Sequence, residues 1–543
     1  MSGSVKSPPV RACTNCVRAK AKCCPGLGGE KCDRCSRMNK ECHASPPVRK
    51  RRAAKNARVQ KLEERLDGLV VLLQSTINPS PGEIESGSIL SSVVPTVSPS
   101  PGIGPIPAVS SPPLEPSITE AESYLHRFRN EMVGNLPFLV LSPTVTAQQL
   151  RQEKPLLWFS IMVVASNQST QQSALSKEMR AMFGRKAYVE GVWSLDFLWA
   201  VLVYITWDTW HNFGRCPSTG LVQLAISIVY DLALDKPPLQ DPGMALMYDS
   251  KGYKKPWGFL RTPTLEEQRA VLGCFLVSAV RSIHGRGESL KWTPRFDQYM
   301  RTLEEKKEYP SDMLLIQLVK LRLITENATE YLNLTNGTEF PARSDAAMFL
   351  KSLQLQLRAV RTNIPSDLLS NKALLLELYH TESTIHQLGF LPSDLSFSGH
   401  PNHRFACIYG CMQAVKSWID AFFTIPPAEY IGFSLLMHSA KMQCCLNICR
   451  LAICDHPEWD RGLLHENINV SWVLDETSKR MAEAGKATGM VAMSAYELQA
   501  DTIRNMKRFW DTTIIQAGQD PMQGFMDELG NFSSEFLQLW DWS

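Results

Sequence analysis

Six cysteines near the start of the chain fall in the order C-x2-C-x6-C-x8-C-x2-C-x6-C: Cys13, Cys16, Cys23, Cys32, Cys35 and Cys42. The two halves repeat one another, each a C-x2-C pair followed by a third cysteine after six intervening residues. A C-x2-C pair leading into a helical turn directs both sulfurs at one metal ion, and tetrahedral zinc takes thiolates at about 2.3 Å. Two four-coordinate ions need eight ligand positions, so six sulfurs suffice only if two of them bridge. The segment from 13 to 42 has almost no large apolar side chain. Metal–sulfur bonds would therefore replace a hydrophobic core, and binding energy would become folding energy. Cys24 stands outside the pattern and reads as a spare thiol.

Such clustering means metal rather than disulfides in a reducing compartment. The opening MSGSVKSPPVRAC has no apolar stretch of the secretory type. The longest apolar run, FLWAVLVYITW between Asp196 and Asp208, is shorter than the ~20 residues a membrane span requires. The expectation is a soluble intracellular protein with no membrane partner. Its overall charge is only +3, but the charge is unevenly placed: residues 1–61 hold sixteen Lys and Arg against three acids, and the remainder is correspondingly acidic. A basic head on an acidic body suits a polyanion.

The cysteine spacing over 13–42 resembles that of the fungal binuclear zinc cluster family of DNA-binding domains. The resemblance implies two zinc ions, with Cys13 and Cys32 as the bridging sulfurs, and double-stranded DNA as the partner. The family's first helix usually reads C-R-x-R-K-x-K-C, where this chain has CVRAKAKC. Lys20 and Lys22 match, Arg18 occupies a variable place, and Val17 and Ala19 replace two usual basic residues. By resemblance Lys20 reads the guanines of a CGG triplet, whose O6 and N7 are acceptors in the major groove. Arg18, Lys22, Arg34 and Arg37 are then expected on phosphates, which position the module without specifying sequence. Glu30 stands where the family often has proline.

The elements that must carry this head follow in order. Residues 1–12 read as a disordered lead, 13–42 as the zinc cluster with two short helices, and 43–58 as a basic linker. Within the linker, Arg49, Lys50, Arg51 and Arg52 suit both nuclear import and phosphate contact. Val59, Leu62, Leu66, Leu69 and Leu73 fall at heptad spacing, so 59–77 reads as a short coiled coil that makes a homodimer, or else as a stripe packed on the body. Gly68 costs that helix about 1 kcal/mol. The Pro- and Ser-rich stretch 78–118 reads as a linker.

Residues 119–519 are expected to form a large all-α regulatory domain. Thr119 with Glu122, and Thr264 with Glu267, have capping-box spacing; LVQLAISIVYDLAL reads as a buried helix, and Leu314, Leu318, Leu321 and Ile324 make one apolar stripe. NLPFLVL, WSLDFLWAVLVYITW, SIVYDLALDKPP and EEQRAVLGCFLVSAVRS resemble the fungal-specific regulatory region, often called the middle homology region, that follows such zinc clusters. The sequence lacks G-x-x-x-x-G-K-[ST], H-E-x-x-H and G-x-S-x-G, so no enzyme is expected. Trp207 to His211 could line a ligand pocket or pack in a core, and the cysteines from Cys444 to Cys449 could bind metal, sense oxidation or lie inert. The tail 520–543, with five acids, five aromatics and no basic residue, reads as a coactivator-docking segment or as a closing helix. The sum is a nuclear transcription factor acting on RNA polymerase II promoters, a dimeric activator of one pathway or biosynthetic gene cluster. The alternative is a regulator, activator or repressor, gated by a ligand or partner at its helical domain.

Overall fold

The computed structural model describes residues 13–19, 22–24, 31–43, 115–166, 168–207, 218–236, 262–283, 288–335, 346–391, 401–454, 456–487 and 495–511, together with residues 243, 246, 247 and 250. Lys20, the basic run 49–52, the heptad positions from Val59 to Leu73 and the tail 520–543 lie outside them. The chain divides between Pro107 and Ala108 into two units. The described residues contain helices and turns and no strand.

In the first unit, α1 (Thr14–Arg18) and α2 (Asp33–Arg37) each span five residues directly after a cysteine. Helices this short do not persist by propensity, because nucleation costs more than one turn returns. What holds them is the packing of Cys13, Cys16, Cys32 and Cys35, all buried, with Cys23 and Cys42 against them.

The second unit is all-α. Its helices are α3 (Ile118–Arg127), α4 (Ala147–Glu153), α5 (Pro155–Ala165), α6 (Ser169–Gly184), α7 (Leu195–Trp207), α8 (Ser218–Asp231), α9 (Leu265–Ile283), α10 (Pro294–Lys306), α11 (Ser311–Thr335), α12 (Ala346–Thr362), α13 (Lys372–His386), α14 (Pro401–Phe423), α15 (Leu435–Ile453), α16 (Arg461–Asn467), α17 (Val470–Ala487) and α18 (Ala495–Phe509). Thr264 and Glu267 cap α9 reciprocally, at 2.8 and 3.3 Å. The expected box at Thr119 is displaced by two residues: Ser117 and Glu120 cap α3, and Glu122 instead accepts the Ala147 N–H at 2.8 Å to start α4.

α5 and α7 are the innermost pair. Every residue of α7 from Phe197 to Trp207 is buried, as is every residue of α5 from Leu156 to Ala165. Proline opens α5, and its first amides find no cap of their own. Asp196 of α7 supplies one, accepting from the backbone N–H of Leu156 at 3.1 Å and Leu157 at 2.9 Å. The loose motifs of this region converge here. Phe138 of NLPFLVL stacks 6.1 Å from Trp207 and lies so close to Gly273 of α9 that a Cβ there would sit 2.4 Å from the Phe138 Cβ. From Leu221 onward, α8 is buried except along Gln223, Ser227, Tyr230 and Asp231. Leu314, Leu318, Leu321 and Ile324 of α11 are all in the core.

Two apolar clusters fill the unit. One gathers residues mainly from 121 to 360, the other mainly from 408 to 510, and α13 serves both. Leu374, Leu378 and Ile385 belong to the first cluster, Ala373 and Leu376 to the second. No helix among the described residues is long and apolar enough to cross a membrane.

Candidate metal centre and nucleic-acid interface

Four sulfurs converge in the first unit. Cys13 Sγ lies 3.7 Å from Cys32 Sγ and 3.6 Å from Cys35 Sγ, and Cys16 Sγ lies 3.7 Å from Cys32 Sγ. The ligand atoms of Cys13, Cys16, Cys32 and Cys35 are all within 4.8 Å of one another. A tetrahedron with 2.3 Å metal–sulfur bonds has edges of about 3.8 Å, so these separations fit thiolates around a metal. The remaining two cysteines, Cys23 and Cys42, pack against these four.

The two halves are interlocked by matching hydrogen bonds. The Cys13 N–H donates to Cys23 Sγ and the Cys32 N–H to Cys42 Sγ, each at 3.4 Å. Across the halves, the Thr14 N–H donates to the carbonyl of His43 at 3.0 Å and the Asp33 N–H to that of Cys24 at 3.1 Å. Asn15 adds a side-chain strut: its amide donates to the Glu41 carbonyl at 2.8 Å and approaches Cys35 Sγ at 3.7 Å. Cys24 therefore has a backbone role, and its thiol is outside the four-sulfur group.

The electrostatics ask for a cation. The backbone N–H of Cys16 holds the Cys13 thiol down to about 6, while loss of solvent pushes Cys16 and Cys35 up to about 12. The amide of Cys35 lowers Cys32 as well. Sulfurs this close repel as thiolates, so they cannot all ionise unless a positive ion sits among them. The donor set is all sulfur, which selects zinc and other thiophilic metals over magnesium or calcium.

Around this knot the described basic residues lie outside. Arg18, Lys22 and Arg37 are exposed, and so are Lys31 and Lys40, which the sequence reading had not singled out; Arg34 is half-buried. Asp33 and Glu41 are also exposed, but Glu41 is paired with His43 at 3.1 Å, and that partner lowers its pKa. Asn15 was likewise missed, because an amide between two ligands leaves no mark in charge or hydropathy.

In the second unit Trp207 is packed against Phe128 and Phe138. Burial raises the thiols of Cys444, Cys445 and Cys449, the latter two to about 11 and about 12. Among the described residues the group at Cys13, Cys16, Cys32 and Cys35 is where three or more His, Cys, Asp or Glu side chains come within reach of one ion.

A buried four-cysteine group with exposed basic residues around it precedes, in one chain, a large all-α unit. Comparison with known proteins gives the family. The chain is 32% identical to Transcription factor opdL of Penicillium oxalicum over 91% of this chain and 88% of that protein. It is 30% identical to Transcription factor himD of Aspergillus japonicus, over 78% and 70% respectively, and 24% identical to a transcription factor of Aspergillus terreus, over 86% and 81%. The chain belongs to this family of fungal transcription factors. Residues 427–535 match a family described as the ATEG07667_C C-terminal domain. No solved structure matches.

Proposed function

We propose that the chain is a sequence-specific DNA-binding transcription factor whose head holds two zinc ions. Cys13, Cys16, Cys23 and Cys32 hold one ion, and Cys13, Cys32, Cys35 and Cys42 the other. The observation that supports this reading is the convergence of Cys13, Cys16, Cys32 and Cys35, with sulfur–sulfur separations of 3.6 and 3.7 Å, and the packing of Cys23 and Cys42 against them. The zinc supplies structure: it fixes α1 and α2 where apolar packing cannot. Lys20, just past the end of α1, then meets guanine edges of a CGG-type half-site. Arg18, Lys22 and Arg37 meet phosphates, with Arg49, Lys50, Arg51 and Arg52 trailing along the duplex.

The heptads from Val59 to Leu73 pair two copies, the acidic-aromatic tail engages a coactivator, and the protein works in the nucleus on RNA polymerase II promoters of one pathway. Family membership supports the regulatory part of this reading. A body gated by a ligand or partner is the second reading. It is favoured by a 430 Å³ cleft with polar walls at Asn130, Glu131 and Lys372 and an apolar floor at Phe433 and Met437.

The test is elemental analysis of the purified full chain, followed by selection of bound sequences from random duplex DNA. Two zinc ions per chain and enrichment of CGG are expected. A chain without stoichiometric metal, or one that enriches no sequence, overturns the proposal.

A further inference from the structure

An apolar groove of 470 Å³ opens where the end of α12, the turn after it, α13 and α14 meet. Leu369 stands 57% exposed at its edge, and Ile364, Leu368, Leu375 and Tyr379 are half-buried along it. The acid in its wall, Glu382, is already paired with Arg361 at 2.7 Å. One turn before Arg361 is the exposed Arg358, and α12 carries three basic residues and no acid. The groove therefore offers apolar surface beside positive charge, which suits an acidic amphipathic segment.

Charge and reach point to this chain's own tail. Residues 520–543 hold five acids and no basic residue, and Phe525, Leu529, Phe532, Phe536 and Leu539 follow at steps of 4, 3, 4 and 3, the spacing of one apolar helix face. The chain leading to them leaves the described body nearby. Asp511 accepts a hydrogen bond from the Ser471 hydroxyl at 2.8 Å. The next residue, Trp472, is 53% exposed and meets the ring of Phe423 at 5.2 Å. Phe423 ends α14, and Ser417 in the wall of the groove is six residues back, about 9 Å along the helix. The thirteen residues between Asp511 and Phe525 can span about 45 Å when extended, far more than this path requires. The family match over 427–535 also takes in the first sixteen residues of the tail together with α17 and α18. The 430 Å³ cleft fits the tail less well: Glu131 and Glu429 stand in its walls, and Lys372 is paired with Glu429 at 2.7 Å.

We propose that the tail folds back past Trp472 and lays the stripe from Phe525 to Leu539 into the groove beside Leu369, with its acids toward Arg358 and Arg361. The aromatic residues that dock there are the same ones that meet a coactivator in the reading above. Groove and coactivator therefore compete for the tail, and the groove sets how much of it is free.

The experiment places p-benzoylphenylalanine at position 369 of the full chain. Unlabelled and nitrogen-15-labelled copies are mixed and irradiated, and the cross-links are mapped by mass spectrometry. Cross-links to residues 525–539 within a single isotopic species are expected. Mixed-isotope cross-links would mean that a second copy covers the groove, and they overturn the proposal, as do cross-links that miss the tail. Hydrogen exchange gives a reading that does not depend on the cross-linker. Ending the chain after Gln519 should speed exchange over residues 364–382, and Leu369→Glu should speed it over 525–539, each by about tenfold. Leu369 is exposed, so its replacement leaves the body folded, which circular dichroism checks. Unchanged exchange in both variants also overturns the proposal. Neither measurement involves the cysteine head, so a chain that failed the metal and DNA tests would still answer this one.

Discussion

The indole N–H of Trp207 donates to the backbone carbonyl of Gly432 at 3.2 Å, across 225 residues of chain. Asn135 donates to the same oxygen at 2.8 Å. Trp207 ends the innermost helix of the first core, and Gly432 lies near the start of the segment that matches the C-terminal family. One carbonyl therefore takes two donors from the front of the body and ties the matched C-terminal segment to it. The approach is close enough that a Cβ at 432 would sit 1.9 Å from the Glu131 carbonyl oxygen.

This contact ranks two substitutions. Trp207→Phe removes one donor but leaves Asn135 on the carbonyl, so it costs about 1 kcal/mol beyond any loss of packing. Gly432→Ala drives a methyl group into backbone, which cannot swing aside as a side chain can, and costs about 3 kcal/mol. Urea unfolding of both variants checks the order, and a Gly432→Ala protein as stable as wild type would refute the close approach.

The buried pair Arg322–Glu377 joins α11 to α13 at 2.7 Å with both side chains all but sealed from water. Burial opposes the charge on Glu377, yet Arg322 and His380 outweigh it and hold its pKa below the ordinary 4.5. Stability from this carboxylate is full above pH 4.5 and is lost as pH falls through its lower folded value. Glu377→Gln leaves Arg322 uncompensated and costs about 3–5 kcal/mol at pH 7. The double replacement Arg322→Met with Glu377→Leu comes out near neutral, since Nε and Nη1 of Arg322 have no hydrogen-bond partner among the described residues. Denaturation curves of the single and double variants measure both.

Lys441 gives the opposite pH signature. It is fully buried in α15, with its amine against Met481 Sδ at 3.3 Å and the side-chain carbonyl of Gln499. Desolvation lowers its pKa from 10.5 to about 7, and only the neighbouring Cys445 pulls the other way. The unfolded chain binds more protons between these values, so this residue's contribution to stability is full above pH 10.5 and falls away as pH drops to about 7. Lys441→Met removes that slope and raises stability at pH 7 by about 2–4 kcal/mol. A variant whose stability still climbs between pH 7 and 10 as in wild type would contradict the assignment.

How legible these features were depends on what sets each spacing. The four cysteines that the structure brings together stand in two C-x2-C pairs, so their meeting could be read from spacing alone. Helical stripes gave the body, because burial on one side imposes a period on residues such as Leu314, Leu318, Leu321 and Ile324. Capping signals were degenerate: Ser117-x-x-Glu120 and Thr119-x-x-Glu122 satisfy the same rule, and the choice rested on Glu122 being needed at Ala147, 25 residues away. Trp207 with Gly432, Arg322 with Glu377 and Asn15 with Cys35 pair residues whose separations follow from tertiary packing, for which one sequence offers no periodic trace.

Metal removal separates the two units. Each has its own core: sulfur in the first, helix packing in the second. A strong chelator should abolish DNA binding by the full chain while its helical circular dichroism and main thermal transition change little, because the first unit's described helices total two single turns. Collapse of the main transition on chelation would mean that the body itself depends on metal.

The last prediction divides the basic residues by what they read. Arg18 and Arg37 are exposed beside the knot, and a phosphate contact made by either carries no sequence information. Arg18→Ala or Arg37→Ala should weaken binding to every duplex alike and reduce the slope of log affinity against log salt by about 0.9. Lys20→Ala should behave differently, losing about 1–3 kcal/mol on a CGG-containing duplex and much less on one in which the triplet is scrambled. Affinity measured on both duplexes over a range of salt gives the two quantities separately. If Lys20→Ala weakened both duplexes equally and shifted the salt slope like Arg18→Ala, guanine reading would have to be assigned to another side chain.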